Sequence, residues 1–486
     1  MPAATDQLHH RNSQGREGYA PSRMPETRAL VVAAAAIVVS WQLLAPPIVG
    51  LADNGDFPKL IGKYGLSSPA YWEYIAVRYP FQANFHYDPG FSSSEQIFIR
   101  IAIGISRLLG GDGSLDIRLV GAVHSAVFLL ALGLFVPLLA PASRGQRLAY
   151  CTAVLFVFTD VMYISFFNSF YMDASALLML MLAAVFYLRA IAWKRRPDAV
   201  LFVASSLLLI SSKPQHAALA LWIAALAWVA REPLWGGRKP AAAAAAAVVL
   251  LTGWATSRFA APPGYSEKNC FNAVFFQILP AAHDVNRTMA DLGLDSTDRI
   301  WIGKTAYSPG SRMEEPAFSQ AFAKKVSYPK LARFYLTHPR DAWRALRSGL
   351  AQAGRARERI GNFPASARRP PTAEATSFAL WSDLKRALFY AHAWRLLLSF
   401  LGVAGLAIFL LSRDGQPHTG AMAGALVLIG TALTEMLIAS LADALDVVRH
   451  HLLFHAELDM LILTALWLGM DRWAIQREKR ASARVR

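Results

Sequence analysis

Cysteine is scarce. Two residues, Cys151 and Cys270, in a chain of 486 cannot make a disulfide framework. Cys151 lies in an apolar run and reads as a buried free thiol. Charge is scarce too: charged residues are 17% of the chain, against about 25% in ordinary soluble domains. That excludes a disordered chain and a coiled coil. Nucleotide motifs are missing: there is no Walker A loop, no G-x-G-x-x-G after a strand and no kinase set. H-E-x-x-H and C-x-x-C spacings are missing as well. What is present is apolar. Hydrophobic residues make up 55% and the mean hydropathy is +0.31, too oily for the roughly three soluble domains that this length would otherwise suggest. The net charge of +16 would point to nucleic acid. The basic residues bracket apolar segments instead, so no nucleic-acid partner is expected.

A membrane span needs about 20 mostly apolar residues. Ten segments are candidates: 29–51, 116–141, 148–167, 173–192, 199–212, 215–230, 241–258, 391–412, 420–442 and 452–470. Pro214 separates the short fifth and sixth in a tight re-entry, and the seventh opens on the alanine run 241–247. The fold class expected is an all-α polytopic membrane protein. Arg11, Arg16, Arg23 and Arg28 precede the first span, and Arg144 and Arg147 follow the second. Lys194, Arg195 and Arg196 follow the fourth, Arg231, Arg238 and Lys239 the sixth, and Arg413 the eighth. Arg472, Arg477, Lys479, Arg480, Arg484 and Arg486 lie in the tail. With ten spans all of these fall on one side, which the positive-inside rule makes cytoplasmic. The polar leader and long first apolar run read as a retained span, not a cleaved signal. The expected location is a bacterial cytoplasmic membrane.

This organisation gives a basic tail (1–28), seven spans (29–258) with an outer loop at 52–115, and an outer block at 259–390. Three spans (391–470) and a second basic tail (471–486) follow. The outer block is basic and helical by pattern, and Pro339 must break or begin a helix within 327–346. In the first outer loop, 95–109 carries Ile97, Ile99, Ile101, Ile103, Ile105 and Leu108. It reads as a helix on the membrane surface, with Arg100 and Arg107 snorkelling.

Ionisable groups near a membrane are expensive and therefore informative. Asp53-Asn54-Gly55-Asp56-Phe57 puts two carboxylates three residues apart just after the first span. That spacing suits a general base and its orienter, or a polar turn around Asn-Gly. Asn168-Ser169-Phe170-Tyr171-Met172-Asp173 ends in an acid that would also suit a helix start. Ser212-Lys213-Pro214-Gln215-His216 and Asp446-Val447-Val448-Arg449-His450-His451 carry cations and imidazoles suited to phosphate, or to a plain interface. His455, Glu457 and Asp459 in the last span read as structural pairing, and Glu435 and Asp160 as buried packing residues.

The first four clusters come from distant parts of the chain, yet the topology brings them to one face. Acids and bases gathered at a lipid–water boundary fit transfer from a lipid-linked phosphosugar, because the tail anchors the donor and no nucleotide pocket is needed. A carboxylate would activate the acceptor hydroxyl, and cations would take the departing phosphate. A single displacement inverts the anomeric carbon.

An acid motif after the first span, a surface helix in the first outer loop, a second acid at the next and a large late outer domain resemble GT-C class membrane glycosyltransferases. The strings Asp53-Asn54-Gly55-Asp56-Phe57, Phe167-Asn168-Ser169-Phe170-Tyr171 with Asp173, and Ser212-Lys213-Pro214-Gln215 resemble bacterial glycan-biosynthesis hexose transferases of the WsfD type. So do Asn272-Ala273-Val274-Phe275-Phe276 with Leu292-Gly293-Leu294, and Arg449-His450-His451-Leu452. The resemblance implies a first-loop base, either Asp53 or Asp56, with Asp173 as the second acid. It places Lys213 and Arg449 on the donor phosphate. Gln215, His216, His450, Asn168 and Tyr171 complete the expected substrate-binding set. No cofactor is required beyond, at most, a divalent cation such as Mg or Mn. The partners expected are a polyprenyl-phosphate sugar, a glycan acceptor and membrane lipid. Two other readings compete: an O-antigen-type ligase or polymerase acting through the basic stretch 355–369, and a non-enzymatic lipid-glycan transporter.

Overall fold

The computed structural model describes residues 24–85, 87, 90–413 and 419–485. Arg11, Arg16, Arg23 and Arg486, and the side chain of Arg484, lie outside the described residues. The chain is mostly helical, at 72%. In order, its larger helices are α1 (Met24–Leu44), α2 (Glu95–Leu108), α3 (Ile117–Phe135), α4 (Arg144–Phe158) and α5 (Met172–Trp193). Then come α6 (Arg196–Ile210), α7 (Leu219–Val229), α8 (Lys239–Phe259), α9 (Pro339–Ala353) and α10 (Leu380–Phe389). Last are α11 (Ala393–Ser412), α12 (Thr419–Leu441) and α13 (Leu452–Val485).

Among the described residues seven helices are long and apolar enough to span a membrane: α1, α3 with its trailing turn, α5, α8, α11, α12 and α13. An eighth is gained if α4 and the segment Val161–Asn168, bent by 50°, are one span. Length and composition support seven or eight of the ten expected spans. Helices lie at all ten places, but α6 has 15 residues, roughly 22 Å of rise against a hydrocarbon core of about 30 Å. The other short one runs from Pro214 to Val229. The bend after α4 has a visible cause: the Asp160 carboxylate accepts the Met162 N–H at 2.8 Å and caps a new helix. The last helix does not stop at 470 but continues to Val485.

Small residues let the spans close. Gly253 of α8 backs onto Ala217 and Ala220, and Gly424 of α12 onto the Tyr187 ring of α5. α5 is enclosed nearly all round: Met172 to Ala183 are all buried.

The first outer loop is pinned to the bundle. Strands β1 (Arg78–Pro80) and β2 (Ser114–Asp116) pair antiparallel with Tyr79 opposite Leu115. α2 buries Phe98, Ile99, Ala102 and Ile103, and leaves Ile97, Ile101 and Leu108 exposed. Its Glu95 is buried, held at 3.0 Å by His124 of α3 and at 3.1 Å by the Ser175 N–H of α5. Arg100 is exposed, and its Nε donates to the Tyr64 hydroxyl at 3.0 Å.

The outer block has its own aromatic core, with Phe271, Phe275, Trp301 and Phe322 in mutual contact. Pro339 opens α9 after the helix Tyr328–Thr337 has ended, the position where a missing N–H costs nothing. Backbone bonds tie the block to the first outer loop, among them Ala52 N–H to Gly361 O at 2.9 Å and Gly361 N–H to Trp72 O at 2.8 Å.

Candidate functional site

The turn after α1 is held by its own chemistry. Asp53 is buried, and its Oδ1 accepts the N–H groups of Gly55 at 2.7 Å and Phe57 at 3.1 Å. Gly55 sits at φ +99°, a conformation that the turn needs and side chains resist. The turn is braced by Phe57, whose ring packs at 5.3 Å on Phe170 and 4.8 Å on Tyr171. Asp53 is thus spent on the backbone, and its burial raises its carboxyl above the usual range despite those bonds. Asp56, by contrast, projects its carboxylate from the turn, with 23% exposure.

Asp56 meets Arg449. Nη2 of Arg449 donates to Asp56 Oδ2 at 2.7 Å and to Asp446 Oδ2 at 2.7 Å. Nη1 lies 3.7 Å from Asp173 Oδ2, and Asp173 Oδ1 accepts from Lys213 Nζ at 3.1 Å. Lys59 closes the other end, 2.8 Å from Asp56 Oδ1. One ionic chain, Lys59–Asp56–Arg449–Asp173–Lys213, therefore joins four separate parts of the sequence. It is graded in wetness: Asp56 and Asp446 are partly exposed, while Arg449, Asp173 and Lys213 are almost fully buried. Burial opposes the Asp56 charge, but Arg449 and then Lys59 outweigh it and hold the carboxyl below the usual range. Arg449 also stacks 4.5 Å from the Tyr171 ring.

The remaining expected residues divide. Tyr171 donates to Ala52 O at 2.7 Å and accepts from Asn54 N at 3.0 Å, so it fixes the acid turn. Gln215 Nε2 donates to Glu435 Oε2 at 2.5 Å and to His450 O at 3.0 Å. His216 Nδ1 lies 2.8 Å from Glu435 Oε1. Glu435 thus ties the turn before α7 to α12, and Gln215 ties it to the turn before α13. His450 is buried beside these cations; burial first, then Lys213 and Arg449, push it well below its ordinary value, so it is a neutral imidazole at pH 7. Asn168, expected to bind substrate, lies elsewhere. Its Nδ2 donates to Leu43 O and Val49 O, both at 2.9 Å, and clamps the end of α1.

Two acids were missed, Glu358 and Asp443, and a third, Asp446, has more partners than its string suggested. Glu358 of the outer block accepts the Arg449 backbone N–H at 2.7 Å. Burial, and then the nearby Asp446 charge, raise its carboxyl to about 7. Asp443 accepts from Asn272 Nδ2 at 3.3 Å and is raised to about 7 by burial. Asp446 was noted only as part of the Arg449 string, yet it also accepts from Asn54 Nδ2 at 2.5 Å and so locks the first outer loop to the last turn. The signal for Asp443 and Asp446 was available: two acids three apart before the Arg-His-His string, repeating the spacing of Asp53 and Asp56. Nothing in the sequence around Glu358 marks it off from the arginines beside it.

Carboxylates outnumber cations here, and both expected phosphate ligands, Lys213 and Arg449, are already paired. Among the described residues no group of three or more His, Cys, Asp or Glu is arranged to hold a metal ion. The cavity against Arg449 and Glu358 measures about 20 Å³, room for roughly one water. Three buried polar atoms in the cluster lack hydrogen-bond partners: Asp173 Oδ2, Arg449 Nε and His216 Nε2. The cluster is closed, but incompletely satisfied.

The family model for the YfdI N-terminal transmembrane domain matches residues 19–485. The chain belongs to that family. No curated protein matches it, and no solved structure does.

Proposed function

We propose that this member of the YfdI N-terminal transmembrane domain family is an inverting glycosyltransferase with a GT-C-like arrangement. It would move a hexose from a polyprenyl-phosphate donor to a cell-surface glycan or lipid-linked acceptor, at the outer face of a bacterial cytoplasmic membrane. One observation carries the reading: Asp56, Arg449, Asp173 and Lys213, far apart in sequence, form one ionic chain that runs from a water-facing acid to a buried cation. That order matches a reaction in which the hydroxyl arrives from water and the phosphate from lipid.

Asp56 is the base in this reading, because Asp53 is spent on its own turn. Its depressed carboxyl is a poor base while Arg449 holds it. The donor phosphate resolves this. It takes the Arg449 and Lys213 donors in place of Asp56 and Asp173, and the released Asp56 gains basicity as its counter-charge is shared. Asp56 then accepts the acceptor hydroxyl proton. The new bond forms between that oxygen and the anomeric carbon, from the face opposite the leaving group. The bond from the anomeric carbon to the phosphate oxygen breaks, and its electron pair leaves with the lipid phosphate. Arg449 and Lys213 neutralise the added charge. His450, uncharged, can accept a sugar hydroxyl. No step here needs a cation other than these side chains.

Within the basic stretch 355–369 of the ligase reading, Arg357 is engaged in the fold, paired with Asp383 and Glu374. The test is transfer in proteoliposomes from a radiolabelled polyprenyl-phosphate hexose, with the product anomer read by NMR. A product of inverted configuration is expected. Retained configuration, or movement of the intact lipid-sugar across the bilayer without transfer, would overturn the assignment.

A further inference from the structure

The end of the bundle opposite Asp56 carries a different feature. α1 and α3 run antiparallel, and Asp56 follows the far end of α1. At the near end they part around a groove of about 720 Å³. Ala29, Ala126 and Gly133 set its walls back, and Val32 and Leu129 make them apolar. Arg28 is the charged residue that lines it. The guanidinium reaches across α3, and a Cβ added at Gly133 would meet its Nε and Nη2 at 3.5 Å.

Two other arginines at this end are engaged. Arg189 bonds Asp198 at 2.9 Å, and Arg147 donates to the Ala142 carbonyl at 2.7 Å. Arg28 has no carboxylate partner among the described residues. A guanidinium without a counter-ion at the mouth of an apolar groove, between two helices apolar enough to span, calls for a ligand with an anionic head and a hydrocarbon body. Inorganic phosphate alone would leave the apolar walls unfilled. An uncharged lipid would leave Arg28 unmatched.

We infer that the groove between α1 and α3 is a binding site for an anionic membrane phospholipid, one acyl chain lying along Ala29, Ala126 and Gly133 and its phosphate on Arg28. The site is separate from the proposed reaction and does not depend on it.

The test uses the full chain, purified in mild detergent and titrated with phosphatidylglycerol or phosphatidylcholine under native mass spectrometry. One basic residue near a membrane surface contributes enough to shift affinity about fivefold. Phosphatidylglycerol should be retained about fivefold better than phosphatidylcholine, and Arg28→Gln should erase that preference. Gly133→Leu, which fills the groove and leaves the charge, should lower retention of both. Equal retention of the two lipids by the unaltered chain would overturn the inference. So would an Arg28→Gln chain that still prefers phosphatidylglycerol, or displacement of the lipid by millimolar inorganic phosphate alone. Arg28 is exposed, so its variant decides the matter even if Gly133→Leu fails to fold.

Discussion

Two ionic clusters share this helical bundle and are built on opposite plans. In one, Asp459 of α13 takes three donors: Tyr163 at 2.7 Å, Trp381 at 2.8 Å and Lys385 at 2.8 Å. Lys385 also reaches the other oxygen at 2.7 Å, and both partners are buried. One cation meets one acid, and the two aromatic donors share Oδ2 with it. In the other, Arg449 is shared among Asp56, Asp446 and Asp173, two of them partly exposed. A matched pair sealed in the core holds helices together. A cation shared among three acids, two of them partly wet, can exchange a partner. The difference separates a fastening from a site, and substitutions can test it.

The largest effect belongs to Asp56. Asp56→Asn keeps the shape and removes the base, so sugar transfer should fall about 10²–10⁴-fold. Its thermal midpoint should move little, because the side chain is partly hydrated. Radiolabel transfer and a melting curve on the same sample check both halves. If Asp53→Asn alone shows the activity loss while Asp56→Asn keeps full activity, the assignment of the base is wrong.

Asp459 should behave in the reverse way. Asp459→Ala leaves the Lys385 ammonium buried without a counter-charge, which costs about 3–5 kcal/mol of stability. The paired change Lys385→Met with Asp459→Leu should recover most of it. Denaturant titration in detergent, set against transfer rate per folded molecule, separates the two plans. If the single variant is as stable as the parent, the pair is not a fastening.

Much of this was legible before any coordinates. Apolar runs locate the helices to within a few residues, because a lipid core leaves little freedom in length and composition. Hydropathy could not show that 196–210 is short, nor that Asp160 bends the chain after Phe158, since a cap is a local bond and not an average. Within the site, Asp56, Asp173, Lys213 and Arg449 were readable as charges where charge is costly. Their partners were not. Lys385 comes to Asp459 from the outer block and not from another span, and Glu358 reaches Arg449 across a sequence gap that no periodicity bridges. Asn168 looked like a ligand because it sits in a polar string; only the fold shows two backbone carbonyls taking its amide.

A smaller effect sharpens the idea of partner exchange. In the proposed reaction Asp446, bonded to Arg449 Nη2, would compete with the donor phosphate for that nitrogen. Asp446→Asn weakens that competitor, and charge-assisted hydrogen bonds are worth about 1.5–3 kcal/mol. The donor KM should fall, by roughly tenfold, with kcat less affected. A KM that rises would mean Asp446 positions Arg449 and does not hold it in reserve.

The smallest effect is a slope. Glu358 titrates at about 7 when folded and near its ordinary value of 4.5 when unfolded. Between those limits the native chain binds more protons than the unfolded one, so stability falls as pH rises from about 4.5 to 7. Asp443 adds to the same slope from 3.8 upward, since it too is raised to about 7. Asp56 acts in the opposite sense and in a different window. Its carboxyl is depressed, so its contribution is complete above the ordinary aspartate range and is lost only as pH falls below it. Melting midpoints between pH 5 and 7 therefore report the raised acids set against the opposite slope of His450, and not Asp56. Glu358→Gln should flatten the decline by up to about 1 kcal/mol per pH unit while leaving the acid limb below pH 4 unchanged. A variant that loses the acid limb and keeps the decline would place the proton-binding acid elsewhere in the cluster. Arg449 would then be held by the partners on its side chain alone, with no help from its backbone.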